Sequence, residues 1–360
     1  MALRLVAWEA TGACNLACVH CRATAKESPD PDELGTSEAL RLVREVAETA
    51  RISSVAAVGP VIFIISGGEP LLRPDIYEIA RAASDAGLHT VLATNGTLLE
   101  PRTVGRLIEA GVRRVSVSLD GPDAAGHDEF RGSPGAFDRA LRGLAEARRQ
   151  GLSFQVNTTV SRRNFRRLPD ILAKAVELGA ATWDVFMLVP TGRGTAEAGL
   201  SGPEYERVLR WVAEAAETSP IEVKVTCGPH YSRVWRQRAA RADRPSGRPG
   251  RPPSGCLAGD GFIFVSRTGD VCPCGYLPLV AGSVRERSLP EIYSTSPILL
   301  SLRDPAHLGG KCGRCEFVSF CRGCRARAYS LQGDYLAEEP LCLWRPRAVR
   351  GRAAGGADPA

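Results

Sequence analysis

Cys14, Cys18 and Cys21 stand on one compact stretch, Cys14-Asn-Leu-Ala-Cys18-Val-His-Cys21, directly after the short apolar run Arg4 to Trp8. Three thiolates at this spacing can hold three corners of a cubane iron–sulfur cluster, but they cannot complete a four-thiolate site. The fourth iron is left open, and an open metal position is where substrate or cofactor binds, as against a sealed structural site. Two other readings compete: a zinc site completed by His20, and a disulfide with one thiol left over. His20 is pinned between two of the proposed ligands, and no secretion signal favours disulfides. A second field holds Cys256, Cys272, Cys274, Cys312, Cys315, Cys321, Cys324 and Cys342. So many thiols, several at Cys-x2-Cys spacing, do not read as buried hydrophobes. A zinc ribbon would stop at four ligands and leave the others without a role.

The elements that must position these thiols are legible in the same chain. From residue 4 to about 218, short β-branched runs alternate with helical patterns, the rhythm of βα units around a parallel sheet. Six strands are expected, near Arg4 to Glu9, Val61 to Ile65, His89 to Ala93, Arg113 to Leu119, Ser153 to Val160 and Thr182 to Leu188. Pro74, Pro101, Pro134 and Pro203 suit first turns of helices, and Gly87, Gly111, Gly151 and Gly179 suit positions just past helix ends. Six units are too few for a closed eight-stranded barrel. Chemistry in such folds lies at the carboxyl ends of the strands, and the residues just past each strand here are polar or glycine-rich. Ser66-Gly67-Gly68-Glu69 comes after the second strand; the two glycines permit close backbone approach to a ligand, and Glu69 can accept from an ammonium. Thr94 and Asn95 come after the third strand, and Ser118 and Asp120 flank the end of the fourth. His127 and Arg131 come next, and Arg131 either anchors a carboxylate substrate with its bidentate fork or pairs with Asp128 or Glu129. His230, after a strand-like Ile221 to Thr226, reads as a metal or haem-type ligand or as a structural residue.

Composition bounds the rest. With 360 residues, 44% of them hydrophobic, the chain can bury one large domain and a smaller one. Neither a signal peptide nor a membrane-length apolar stretch is evident, so a cytoplasmic protein without a membrane partner is expected. The net charge of +6 owes much to Arg233 to Arg251, a Pro- and Gly-rich solvated segment with only Tyr231 and Trp235 nearby. A nucleic-acid surface would interleave aromatics with those arginines.

The cysteine loop, taken with the Gly67-Gly68-Glu69 turn after the second strand, resembles the signature of the radical S-adenosylmethionine (radical SAM) enzymes. The resemblance implies an α/β fold, a partial (βα)6 barrel over residues 1–220, with the open iron of a 4Fe-4S cluster chelating S-adenosylmethionine. It implies that Glu69, with Ser66, Gly67 and Gly68, contacts the methionine end of the cofactor. Thr94, Asn95, Ser118 and Asp120 fall on cofactor-side loops, and Asn157 and Leu188 fall where the family places ribose and adenine contacts. The second cysteine field, residues 256–344, resembles the SPASM extension, which carries one or two auxiliary 4Fe-4S clusters. On that resemblance Cys312, Cys315, Cys321 and Cys342 form one cluster, while Cys256, Cys272 or Cys274, and Cys324 contribute to another, with Cys227 left free. Two departures stand out: two residues instead of three separate Cys321 from Cys324, and the hairpin offers two cysteines instead of one. Residues 221–255 read as a linker with a basic loop and 345–360 as a disordered tail. Val6-Ala-Trp-Glu9, Cys227-Gly-Pro-His-Tyr231 and Arg325-Ala-Arg-Ala328 are similar to the haem-biosynthesis branch of the family. That branch implies a tetrapyrrole substrate with propionates, Arg131 and His127 at the site, and reduced ferredoxin or flavodoxin as electron donor. A peptide-modifying maturase is the alternative, and an iron–sulfur electron carrier without catalysis would need neither the open iron nor Glu69.

Overall fold

A computed structural model describes residues 3–53, 59–240 and 253–347. Ten strands form one open sheet in the order β10-β9-β8-β1-β2-β3-β4-β5-β6-β7. Strands β1 (Leu5–Glu9), β2 (Ile62–Ser66), β3 (His89–Thr94), β4 (Arg114–Ser118), β5 (Ser153–Val160), β6 (Thr182–Met187) and β7 (Glu222–Thr226) run parallel. The helices covering them are α1 (Thr36–Ser53), α2 (Ile76–Asp85), α3 (Pro101–Glu109), α4 (Ala124–Arg131), α5 (Ala136–Arg149), α6 (Leu168–Leu178), α7 (Gly202–Thr218) and α8 (Tyr231–Ala239). Their apolar stripes are the buried faces: Ile76, Ile79, Ala80 and Ala83 of α2, and Phe137, Ala140 and Leu144 of α5. Pro101 and Pro203 occupy first turns, whereas Pro74 and Pro134 fall in turns just ahead of α2 and α5.

Strand alternation sends Val6, Trp8, Phe63, Ile65, Val115, Val117, Phe154 and Val156 into the helix-covered core. The other face is polar toward the carboxyl ends. Register puts Glu9 beside Ser66, and Ser118 beside Asn157, along one rim.

The segment 221–255 is more than a linker. Ile221 to Thr226 supplies β7, because Val223 and Val225 alternate into the core while Lys224 and Thr226 take the other face. Helix α8 comes next, and residues 241–252 of the basic loop lie outside the described residues, as do 348–360 of the expected tail. The second cysteine field is also continuous with the barrel. Strand β8 (Phe262–Val265) pairs parallel with β1, and β9 (Asp270–Cys272) and β10 (Gly282–Ser283) extend the sheet antiparallel. Helices α9 (Leu289–Thr295), α10 (Pro297–Arg303), α11 (Gly310–Gly313) and α12 (Arg325–Gln332) complete the C-terminal part.

Candidate active site

The loop after β1 is folded back by backbone bonds. Cys14 N donates to Lys26 O at 2.7 Å and Lys26 N to Gly12 O at 3.0 Å. Each of its three sulfurs then accepts an N–H: Leu16 N to Cys14 Sγ at 3.4 Å, Ala25 N to Cys21 Sγ at 3.4 Å, and Arg131 Nη1 to Cys18 Sγ at 3.6 Å. Such donors are what iron-bound thiolates require, so the set fits an iron–sulfur cluster held by Cys14, Cys18 and Cys21. As a bare thiol Cys14 is pushed up to about 11, chiefly by burial. The His20 ring packs on Phe130 with centroids 4.2 Å apart. Among the described residues no three His, Cys, Asp or Glu side chains close on the spacing of a single metal ion.

The glycine turn after β2 serves this loop directly. Gly68 N donates to Thr11 O and Glu69 N to Ala13 O, both at 2.7 Å. A Cβ on Gly68 would overlap Ala13 O, and one on Gly67 would sit 2.7 Å from Thr11 O. The absent side chains of these glycines thus let the turn lie directly on the cysteine loop. Glu69 itself is fully buried. Its carboxylate accepts from Leu71 N at 3.2 Å, Thr94 Oγ1 at 2.8 Å and Asn95 N at 2.8 Å. A carboxylate has about four lone-pair sites, so one acceptor position remains for an ammonium. Burial raises Glu69 from its ordinary 4.5 to about 7. Thr94 and Asn95 thus act through Glu69, and Asn95 Nδ2 also reaches Asn15 Oδ1 at 2.8 Å and Cys14 Sγ at 3.9 Å.

Arg131, expected as a carboxylate anchor, is committed elsewhere. It is buried at the end of α4, ion-paired with Asp120 and bonded to Cys18 Sγ. Asp128 and Glu129 are not its partners: Asp128 takes the N–H groups of Gly135 and Phe137, and Glu129 pairs with Arg163. Both oxygens of the buried Asp120 carboxylate are engaged within the chain, one by Arg131 and the other by Thr159 N at 2.7 Å. His127 is buried, its Nδ1 accepts from Asp120 N at 3.2 Å, and burial lowers it to about 3. It fixes the loop after β4. Ser66, Ser118 and Asn157 remain on the rim face of their strands. Leu188 is buried, and its carbonyl is taken by Arg327.

Spacing did not reveal several positioning residues. Arg193, after β6, donates to Cys18 O at 2.8 Å and Ala25 O at 3.2 Å and so clasps the cysteine loop. Glu9 bridges Arg22 at 2.9 Å and Arg267 at 2.8 Å, tying that loop to the β8–β9 turn. Sequence offered one signal for it, a carboxylate closing an apolar strand.

In the C-terminal field Cys312, Cys315, Cys321 and Cys342 line one small cavity, shared with His230, Arg233 and Trp344. This is the thiol quartet expected for one auxiliary cluster, and an all-sulfur donor set fits it. His230 is buried on Tyr205, lies 3.8 Å from Glu339, and is lowered to about 4 by burial. Beneath the cavity Arg327 is fully buried and donates to Tyr205 Oη at 3.1 Å and to the carbonyls of Met187, Leu188 and Cys227 at 3.0–3.2 Å. Its charge is balanced by Glu339 at 3.3 Å. Of the hairpin pair, Cys272 packs with Ala7 and Phe264 near Glu9 and Arg22, away from the other thiols. Strand β9 ends there, and the turn through Pro273 carries Cys274 to the opposite side, next to Cys256 and Cys324. Cys272 thus leaves the expected ligand set. Cys227, expected to stand free, adjoins Cys324 and Cys274.

Comparison with known proteins agrees with this arrangement. Residues 8–190 match the radical SAM superfamily and residues 256–325 match the SPASM iron–sulfur cluster-binding domain. The AdoMet-dependent heme synthase of Methanosarcina barkeri is 50% identical over 348 residues, spanning 95% of this chain and 97% of that protein. A heme synthase of the same name from Nitratidesulfovibrio vulgaris is 46% identical over 351 residues, spanning 96% and 93%. Among solved structures, Streptococcus suis SuiB bound to S-adenosylmethionine superposes with a TM-score of 0.73 at 17% identity, covering 95% of this chain and 78% of that one.

Proposed function

The chain belongs to the radical SAM superfamily and carries its SPASM extension, so it is an enzyme of S-adenosylmethionine radical chemistry, and we propose that it removes carboxyl groups from the propionate side chains of an iron-porphyrin in haem-type tetrapyrrole biosynthesis. The observation that carries this reading is the end-to-end identity to heme synthases, which runs through both cysteine fields. When bound, the clusters and S-adenosylmethionine supply an adenosyl radical that takes a hydrogen atom beside a carboxylate, and an acceptor for the electron released as carbon dioxide leaves.

The protein's own residues hold and orient. Cys14, Cys18 and Cys21 would hold the cleaving cluster, with Arg131, Leu16 N and Ala25 N stabilising sulfur charge. Glu69 would receive the cofactor's ammonium, and Ser118 and Asn157 would face its ribose from the rim. The face opposite the helix-covered core offers apolar Ala7, Ile64 and Phe264 for a macrocycle, with polar Asp184 and Thr226 further round. With Arg131 engaged by Asp120, Lys224, exposed on β7 opposite Asp184 and 3.2 Å from Glu222, is a cation that would meet a propionate by exchanging that partner. The reading includes a cytoplasmic setting and a reduced ferredoxin or flavodoxin as donor. Among the described residues no helix is long and apolar enough to cross a membrane.

The test is anaerobic turnover of the reconstituted protein with iron-coproporphyrin. The reading expects a shifted porphyrin spectrum on binding, porphyrin-dependent deoxyadenosine release, and product masses lower by carbon dioxide plus two hydrogens for each propionate that reacts. If porphyrins neither bind nor raise turnover while a peptide does, the maturase reading replaces it.

A further inference from the structure

Cys312, Cys315, Cys321 and Cys342 account for one cavity. The thiols left beyond β7 are Cys227, Cys256, Cys272, Cys274 and Cys324. Three of these are neighbours: Cys274 lies close enough to feel the charge of both Cys256 and Cys324, and Cys256 that of Cys324. Cys227 joins them, adjoining both Cys324 and Cys274. Both Cys227 and Cys274 pack on the small apolar cluster that contains Cys324 and Leu277.

The backbone at Cys227 is arranged for this placement. Its φ of 58° lies in the left-handed region, which non-glycine residues occupy only when their surroundings impose it. Two buried donors impose it here, Tyr205 Oη and Arg327 Nη2, each 3.0 Å from the Cys227 carbonyl. Arg327 spends its remaining hydrogen bonds on the end of β6, on Tyr205 Oη and on Glu339, whose carboxylate also accepts from Cys324 N at 2.9 Å and Leu341 N at 3.2 Å. A single buried arginine thus sets Cys227 and Cys324 relative to each other, although nearly a hundred residues separate them. A buried thiol without a role needs no such scaffold.

We propose that Cys227 is the fourth ligand of the first auxiliary cluster, with Cys256, Cys274 and Cys324, and that Cys272 stays an unliganded thiol. The ligand would come from the last barrel strand, so this cluster would staple β7 to the C-terminal field. The proposal rests on the reading that the C-terminal field binds iron–sulfur clusters, and the test separates the two.

Full-length protein is reconstituted anaerobically, iron and sulfide are counted, and the dithionite-reduced state is recorded by electron paramagnetic resonance, for wild type, Cys227→Ala, Cys227→Asp and Cys272→Ala. Wild type should hold about twelve iron, three cubanes of about four each. Cys227→Ala should lose about a third of that iron and one resonance, while keeping the N-terminal cluster signal that responds to added S-adenosylmethionine, which reports a folded barrel. Cys272→Ala should match wild type. Cys227→Asp keeps an anionic ligand that tolerates the left-handed backbone, and should regain the iron with a shifted resonance. Wild-type iron and spectra in Cys227→Ala, or loss of a cluster in Cys272→Ala, would overturn the proposal. Failure of Cys227→Ala to fold, joined with no shift in Cys227→Asp, would also overturn it. Only about four iron in wild type would instead overturn the underlying reading that the C-terminal field binds clusters.

Discussion

Cys14, Cys18 and Cys21 come from one loop of eight residues, whereas Cys312, Cys315, Cys321 and Cys342 meet from a span of thirty-one, with Cys227 and Cys256 still further off. The first set offers three sulfurs and a rim of polar strand ends beside them. The second offers four sulfurs around one cavity, backed by the buried Arg327–Glu339 pair. Three thiols beside a free acceptor on Glu69 make a place where a small molecule binds. Four thiols around one cavity leave no open corner for a ligand on the cluster they would hold. Both loops are nonetheless pinned by the same device, a glycine whose missing Cβ lets one backbone lie on another: Gly68 against Ala13, and Gly255 against Phe320.

The largest effect expected is at the C-terminal region, where Arg327→Ala would leave Glu339 buried without its cation and free three carbonyls. Breaking a buried pair costs about 3–5 kcal/mol. Anaerobic thermal unfolding should register that loss, and a midpoint within a degree of wild type would mean the pair is not what holds the region to the barrel. A smaller effect separates the two loops. Gly68→Ala must push Ala13 and the cysteine loop aside, and a misplacement of this order costs about 10²-fold in turnover. Deoxyadenosine release without substrate should fall accordingly, while Gly255→Ala should leave it near wild type and lower auxiliary iron instead. Equal loss of cleavage in both variants would erase the distinction.

The smallest effect is a pH dependence confined to the open site. Glu69 is raised from 4.5 to about 7, so between those values the folded protein holds a proton that the unfolded chain has released. Stability contributed by this group therefore falls as pH rises through that window. An ammonium ligand needs the ionised carboxylate, so S-adenosylmethionine affinity should rise by up to about tenfold per pH unit below 7 and level off above it. Glu69→Gln should bind weakly with a flat profile, as read by calorimetry; a slope persisting in that variant would assign it to another group.

Legibility in the sequence divides along the same line. The cysteine loop, the glycine turn and Glu69 lie within a few residues of strand ends, so spacing and punctuation were enough to find them. Ile221 to Thr226 was legible as a strand but assigned to a linker instead of the barrel, because it is short and half-buried at a sheet edge, with charged Glu222 and Lys224 alternating through it. Arg131 was misread because only the folded chain brings Asp120 to it. The same holds for Cys227 and Cys272. No local pattern tells a free thiol from a ligand when the partners are Cys256, Cys274 and Cys324, and the turn at Pro273 that separates Cys272 from Cys274 is a tertiary fact.

The claim that the open and closed sites divide the labour is tested most directly by comparing two multiple variants under dithionite, without substrate. Cys14, Cys18 and Cys21 changed to Ala should abolish deoxyadenosine formation yet retain auxiliary iron. Cys312, Cys315, Cys321 and Cys342 changed to Ala should retain deoxyadenosine formation while about four iron per chain are lost. Undiminished cleavage in the first variant, or abolished cleavage in a folded second variant, would contradict the account.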